Sequence, residues 1–179
     1  MQSLSDQMVE FIESQPFFIV ATAAADGRVN VSPKGLDTLR VLGSNRVVWL
    51  NLTGSGNETA AHVAKNGRMT LMFSSITEMP MTVRLYGTAK AVHPRDPEWA
   101  DLISLFPTLA GSRQIFDVMV DEVLTSCGSG VPVMQVTSNR GEAELEPFYA
   151  EMSSDELDDY WTRKNTESID GFPTHIFTP

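Results

Sequence analysis

The run Gly54-Ser55-Gly56-Asn57-Glu58-Thr59-Ala60-Ala61-His62-Val63 follows the apolar stretch Val47-Val48-Trp49-Leu50. By residue type it is a strand that turns through glycines into a helix whose first amides face outward. That geometry receives a phosphate with little help from positive charge. An ordinary strand-to-helix turn uses the same Gly, Ser and Asn and is the alternative. The run is not a P-loop, because no Lys follows its last glycine, and it lacks the third glycine and parallel-sheet setting of a dinucleotide fingerprint. His62, His93 and Cys127 are too scattered to form a metal set. No Ser-His-Asp or paired-carboxylate pattern stands out, so the sequence identifies no catalytic side chain. Cys127 lies in a glycine-rich turn with no basic neighbour in sequence, which reads as structural.

A chain of 179 residues, 42% hydrophobic and 20% charged, suits one well-buried core. The expectation is a single domain over residues 1–179. A net charge of −10 argues against nucleic acid or an anionic membrane as the main partner. The charge is uneven. Residues 1–95 carry nine Lys/Arg against seven Asp/Glu, whereas residues 96–179 carry four against sixteen, so the first half receives an anion better. One cysteine excludes an internal disulfide, and no apolar run approaches the ~20 residues of a membrane span. With no basic, apolar leader after Met1, the expected location is the cytoplasm.

The elements that would position these residues follow from periodicity. Leu4, Met8, Phe11 and Ile12 have helical spacing after the potential cap Ser3, and Pro16 ends that helix. Residues 17–24 and 29–32 flank the hairpin signal Asp26-Gly27. A short strand is possible at 38–41, and residues 46–51 form a strand that enters the glycine run. Residues 60–64 make a short helix ended by Asn66-Gly67, followed by a strand over 68–73. Residues 82–92 alternate as the longest strand, with Thr82 and Arg84 on one face. A helix near 98–105, a strand over 115–124 and a helix over 155–165 capped by Ser154 complete the order. Glu142, Glu144 and Glu146 alternate like the solvated face of an edge strand. Short strands joined by tight turns, with separate helices, predict a mostly β with α fold built on an antiparallel barrel.

In this order the chain resembles the pyridoxamine-5'-phosphate-oxidase-like family of FMN-binding split barrels. The residues that carry the resemblance are Ala21-Thr22-Ala23-Ala24-Ala25-Asp26-Gly27-Arg28-Val29-Asn30-Val31-Ser32-Pro33-Lys34-Gly35, the strand, loop and helix of 49–62, Asn66-Gly67-Arg68-Met69-Thr70-Leu71-Met72-Phe73, and Arg84-Leu85-Tyr86-Gly87-Thr88-Ala89. Thr125-Ser126-Cys127-Gly128-Ser129-Gly130-Val131-Pro132, the stretch Tyr160-Trp161-Thr162-Arg163-Lys164-Asn165 and Ser168-Ile169-Asp170-Gly171 look like an uncharacterised branch of that family.

The resemblance implies a six-stranded split barrel with flanking helices. It also implies a homodimer with FMN at the interface, and an FMN-dependent oxidoreductase acting on an unassigned small-molecule substrate. The alternatives are a non-catalytic flavin or haem binding or storage protein, and a deazaflavin-dependent reductase. The cofactor residues it implies are Asn30, Ser32, Pro33, Lys34 and Gly35, then Trp49 and Asn51, then Asn57, Glu58 and Thr59, with Thr82 and Arg84 reaching the flavin across the dimer. Lys34 would supply a point charge for the phosphate, and Asn57, Thr59 and the loop amides would supply hydrogen bonds. Trp49 has core packing as its alternative, Thr59 a helix cap, and Arg84 an exposed or ion-paired strand arginine. Trp161 is a second candidate for the pocket wall. The vitamin-forming oxidases carry an adjacent Arg-Lys pair where Glu58 and Thr59 stand, and end in an arginine-containing tail that His175-Ile176-Phe177-Thr178-Pro179 lacks. Oxidation of pyridoxamine phosphate itself is therefore not expected.

Overall fold

The computed structural model describes residues 3–178. Seven antiparallel strands form one sheet: β1 (Phe17–Thr22), β2 (Asn30–Gly35), β3 (Leu39–Gly43), β4 (Arg46–Leu52), β5 (Arg68–Ser74), β6 (Thr82–Val92) and β7 (Ser112–Ser126), in the spatial order β2-β1-β5-β6-β7-β4-β3. The helices are α1 (Asp6–Glu13), α2 (Glu58–Asn66), α3 (Trp99–Ile103), α4 (Glu146–Ala150) and α5 (Ser154–Lys164). The mostly β with α class holds. The strand count is seven rather than six, because the optional strand at 38–41 forms as β3 and pairs with β4.

The sheet curls around its own core. Phe18 on β1 and Trp49 on β4 lie four positions apart in the strand order, yet their rings meet edge to face at 6.0 Å. Trp49 also stacks on Phe116 of β7 at 4.7 Å. Val20, Leu71, Phe73, Val83, Leu85 and Val118 fill the same interior. A second cluster on the outer side of β4 and β7, with Val48, Leu50 and Ile115, is covered by Leu102 of α3 and by Phe106. Gly27 at φ +92° turns the β1–β2 hairpin, and Gly67 at φ +69° ends α2 in the left-handed cap the Asn-Gly signal predicts.

Four local expectations are corrected. Ser5, not Ser3, caps α1, its hydroxyl accepting from the Met8 amide. Ser153, not Ser154, caps α5, in a reciprocal pair with Glu156. Glu142, Glu144 and Glu146 do not alternate on a strand: a π-helical turn over Gly141–Leu145 leads directly into α4. The last strand begins at Ser112 rather than 115, so Arg113 and Gln114 belong to β7. No helix among the described residues is long and apolar enough to cross a membrane.

Trp49 is fully buried at the centre of the main core. Trp49→Ala is expected to cost about 3–5 kcal/mol of folding stability, seen as a lower urea midpoint at unchanged slope.

Candidate functional site

Because β2 pairs with β1, whose Phe18 and Val20 point into the core, Asn30, Ser32 and Lys34 point inward as well, while Val31 and Pro33 point out. Three polar side chains thus line the interior side of an edge strand. Asn30 Nδ2 donates to Thr59 Oγ1 at 3.2 Å and lies 3.4 Å from Thr22 Oγ1. Thr22 Oγ1 in turn sits 3.0 Å from His62 Nδ1. At the other end of the row the Lys34 ammonium lies 5.5 Å from the centroid of the Trp49 ring, a cation–π contact. Burial, and then the charge of Arg113, push the Lys34 ammonium down to about 8.

The glycine turn closes one end of a cavity of about 280 Å³ walled by Lys34, Thr38, Asn51, Gly54, Gly56 and Arg113. Through Pro33, Lys34, Gly35 and Asn139 the cavity adjoins a wider groove of about 940 Å³. Neither Gly54 nor Gly56 has a positive φ. A Cβ on Gly54 would meet no atom within 4 Å, so a side chain there would project into open space. Asn57 is the N-cap of α2, but its side chain caps no helix amide. Its Oδ1 accepts from Gln114 Nε2 at 2.7 Å, and its Nδ2 donates to the Asn165 carbonyl at 3.4 Å.

Arg113 is 3% exposed. It lies where β7 and β4 lose register, Asn51 pairing with Gln114 and Leu52 with Ser112. Its side chain forms part of the cavity wall. Nη1 donates to the Gly56 carbonyl at 3.1 Å and to Asn165 Oδ1 at 2.6 Å, while Nε has no partner. Burial lowers its guanidinium to about 10, with the Tyr149 and Tyr160 hydroxyl groups acting in the opposite direction. Asn51 Oδ1, Gln114 Oε1 and Ser32 Oγ are also buried without partners.

The C-terminal segment holds the turn in place. Asn165, fully buried, donates through Nδ2 to the Gly54 carbonyl at 2.9 Å. Trp161 Nε1 donates to Thr53 Oγ1 at 2.9 Å, so Trp161 buttresses the loop. The Ile169 amide donates to the Glu58 carboxylate at 3.0 Å, and Asp170 pairs with Arg28. Glu58 is thereby engaged with the C-terminal segment.

The residues named from sequence therefore separate. Ser32, Lys34, Gly35, Asn51, Asn57, Glu58, Thr59 and Asn30 gather around the barrel mouth and the start of α2. Trp49 is corrected to core: it forms the floor beneath Lys34 and has no exposed surface. Thr59 is not a cap but the second residue of α2. Pro33, Thr82 and Arg84 lie on the outer face. The pairs Pro33–Ile19, Ile19–Met72 and Met72–Arg84 set Arg84 three strands from β2, about 14 Å at ~4.8 Å per step, on the side of the sheet opposite Lys34. There Arg84 lies 3.3 Å from Ser126 Oγ, and Thr82 lies 3.2 Å from Ser74 Oγ.

Arg113, Gln114 and Asn165 were missed. The strand expected from 115 begins three residues earlier, and Asn165 marks only the end of a helix in the sequence. The available signal was an arginine isolated in a strongly acidic half, next to an apolar run. Cys127 is exposed at the opposite end of β7 from Arg113, its thiol lowered by hydrogen bonds from Ser129. Among the described residues, no group of three His, Cys, Asp or Glu could hold a metal ion.

The sequence profile of pyridoxamine 5'-phosphate oxidase matches residues 4–127. The pyridoxamine 5'-phosphate oxidase family protein ustO of Aspergillus flavus is 34% identical over 188 aligned positions, covering 96% of this chain and 76% of that protein. A Lactobacillus delbrueckii protein provisionally assigned as a pyridoxamine 5'-phosphate oxidase superposes with a TM-score of 0.57 at 19% identity, over 69% of this chain and 95% of that one. HupZ of Group A Streptococcus does so with a TM-score of 0.54 at 19% identity, over 69% and 94%. At these identities the two solved structures share the fold alone.

Two outcomes follow from this packing. Asn165→Ala removes the acceptor of a buried arginine and should cost about 2–3 kcal/mol in chemical denaturation. Lys34 titrates near 8 when folded against a reference of 10.5, so between those values the unfolded chain holds the extra proton and stability rises with pH. The thermal midpoint of the ligand-free protein should therefore gain over that window relative to Lys34→Met, which lacks the rise.

Proposed function

The chain belongs to the pyridoxamine 5'-phosphate oxidase family, and on that premise we propose that it is an FMN-binding oxidoreductase acting on a small molecule that is not pyridoxamine phosphate. The observation that carries this reading is the barrel mouth itself, a cavity holding a half-buried ammonium group beside a glycine turn and an α2 terminus that no side chain caps.

The residues present fit such a ligand. The Asn51 Oδ1 and Ser32 Oγ atoms are buried without partners, as groups awaiting hydroxyl-bearing material would be, and a ribityl chain offers hydroxyls. Lys34 would hold the phosphate as a point charge, and the turn amides would donate to it. Gly54 would keep the approach open, and Glu58 accepts from the Ile169 amide with its Oε1 beside Gly56, so an anion would approach on the Gly54 side. When bound, FMN supplies the electron-transfer chemistry, and the protein supplies binding, orientation and the surrounding field.

The outer face supports the proposal of a homodimer that shares its cofactor sites. Arg84 cannot reach the mouth of its own protomer, so from this face it would serve a partner's flavin, whereas Thr82 is buried against Ser74. The same face exposes Val31 at 63%, Met119 at 46% and Leu124 at 46%. Covering such side chains favours self-association. A second reading, a flavin holder without turnover, is favoured by a cavity wall that, among the described residues, includes no carboxylate or histidine. A cytoplasmic location remains part of the proposal.

Anaerobic reduction by NADH or NADPH separates the two readings: a flavin that bleaches with either donor supports the oxidoreductase, and one that stays oxidised with both supports the holder. Gly54→Leu should weaken FMN binding by about tenfold or more while leaving the unfolding midpoint nearly unchanged. Sedimentation should give twice the 19.7 kDa chain mass. Arg84→Glu should shift it toward one.

A further inference from the structure

The segment that follows α5, residues 165–177, is a strap alongside the glycine turn and lies beyond residue 127, where the family profile ends. Two arginines grip it. At its near end Asn165 accepts from Arg113 Nη1 at 2.6 Å and donates to the Gly54 carbonyl at 2.9 Å. At its far end Arg95 donates to two consecutive carbonyls, of His175 through Nη2 and of Ile176 through Nη1, each at 2.6 Å. Ile176 is buried there, and the Phe177 ring lies 6.3 Å from that of Trp161. His175 has φ +55°, a left-handed backbone that a β-carbon disfavours, so Arg95 holds the far end in a conformation it would not adopt alone.

His93, immediately after β6, lies in the field of both arginines. It is 5% exposed, and its Nδ1 has no partner. The charged and titratable groups that act on it are Arg95 and Asp96 of its own turn, His175 of the strap and Arg113 of β7. Asp96, the one carboxylate of the set, accepts from the His93 amide at 2.7 Å. A proton added to the ring would be buried and repelled by the same two guanidinium groups that hold the strap. Burial, and then the charge of Arg95, push the imidazole down to about 4.

We propose that His93 is an acid-sensitive latch for the C-terminal strap. Neutral, it leaves Arg95 on the His175 and Ile176 carbonyls and Arg113 on Asn165. Protonated, it repels both arginines, and the strap lifts from the glycine turn with loss of the bond from Asn165 to Gly54. The folded value lies below the ordinary 6.5, so the closed strap is favoured at neutral pH and loses that advantage as pH falls from 6.5 toward 4. The latch is a property of the chain itself and does not depend on what occupies the mouth.

The test is hydrogen exchange of the ligand-free full chain, followed by mass spectrometry and corrected for the intrinsic pH dependence of amide exchange. From about pH 7.5 to about pH 5 the opening constant of residues 165–177 should rise about 25-fold, as one proton coupled between those two values requires, while β4 and β5 keep their protection. His93→Leu and His93→Gln cannot take up the proton, and each should hold the opening of the strap within about threefold over the same range. His93→Gln, which keeps a polar side chain, stands in if His93→Leu fails to fold. A strap that opens no more in acid than at neutral pH overturns the latch. So does a rise that persists in either variant, or one shared equally by β4 and β5, which is unfolding of the whole barrel.

Discussion

The arrangement of the barrel mouth depends on holding a buried arginine and a half-buried lysine with no carboxylate, among the described residues, paired to either. Lys34 and Arg113 come from strands at opposite sides of the curled sheet, and each is held by something other than an ion pair. Lys34 rests on the face of Trp49, whose ring is clamped between Phe18 and Phe116. Arg113 rests on two neutral acceptors, the Gly56 carbonyl and Asn165 Oδ1. Neutral acceptors and a π face position a cation without cancelling its charge, and they leave a positive field in a small cavity where screening by water is weak.

Several parts of the fold serve that placement. The register shift between β4 and β7 falls at Arg113, which lines the cavity together with Leu50 and Leu52 of β4. Asn165 ties the end of α5 to Gly54, Asn57 and Arg113 together, so the C-terminal segment is a structural wall of the site. Glu58 accepts from the Ile169 amide, which ties the start of α2 to the C-terminal segment. Part of the negative charge of the second half lies on exposed helical surface, including Asp155, Glu156, Asp158 and Asp159 of α5.

Much of this was legible in the sequence, for identifiable reasons. An apolar run marked β1, two-residue alternation marked β2 and β6, and Asp26-Gly27 and Asn66-Gly67 marked turns, because those signals are local. The glycine run was recognisable as a strand-to-helix turn on the same grounds. What escaped depends on contacts far apart in sequence. Arg113 reaches Gly56 across 57 residues, and Asn165 reaches Gly54 across 111. No periodicity encodes such contacts. Trp49 was ambiguous because a large aromatic at a strand centre suits either a core or a ring-binding wall, and only the closing of the sheet decides between them. Glu142, Glu144 and Glu146 misled because alternating acids in a short segment fit an edge strand as readily as one turn of helix.

The central claim is that this mouth is built for a phosphorylated flavin. It is tested most directly by releasing the small molecule that accompanies the natively purified protein, through heat or acid, and identifying it by absorption and mass spectrometry. The account predicts FMN, one per chain, in place of riboflavin. Recovery of haem or a deazaflavin, or of no ligand from a chain that also refuses added FMN, would contradict it.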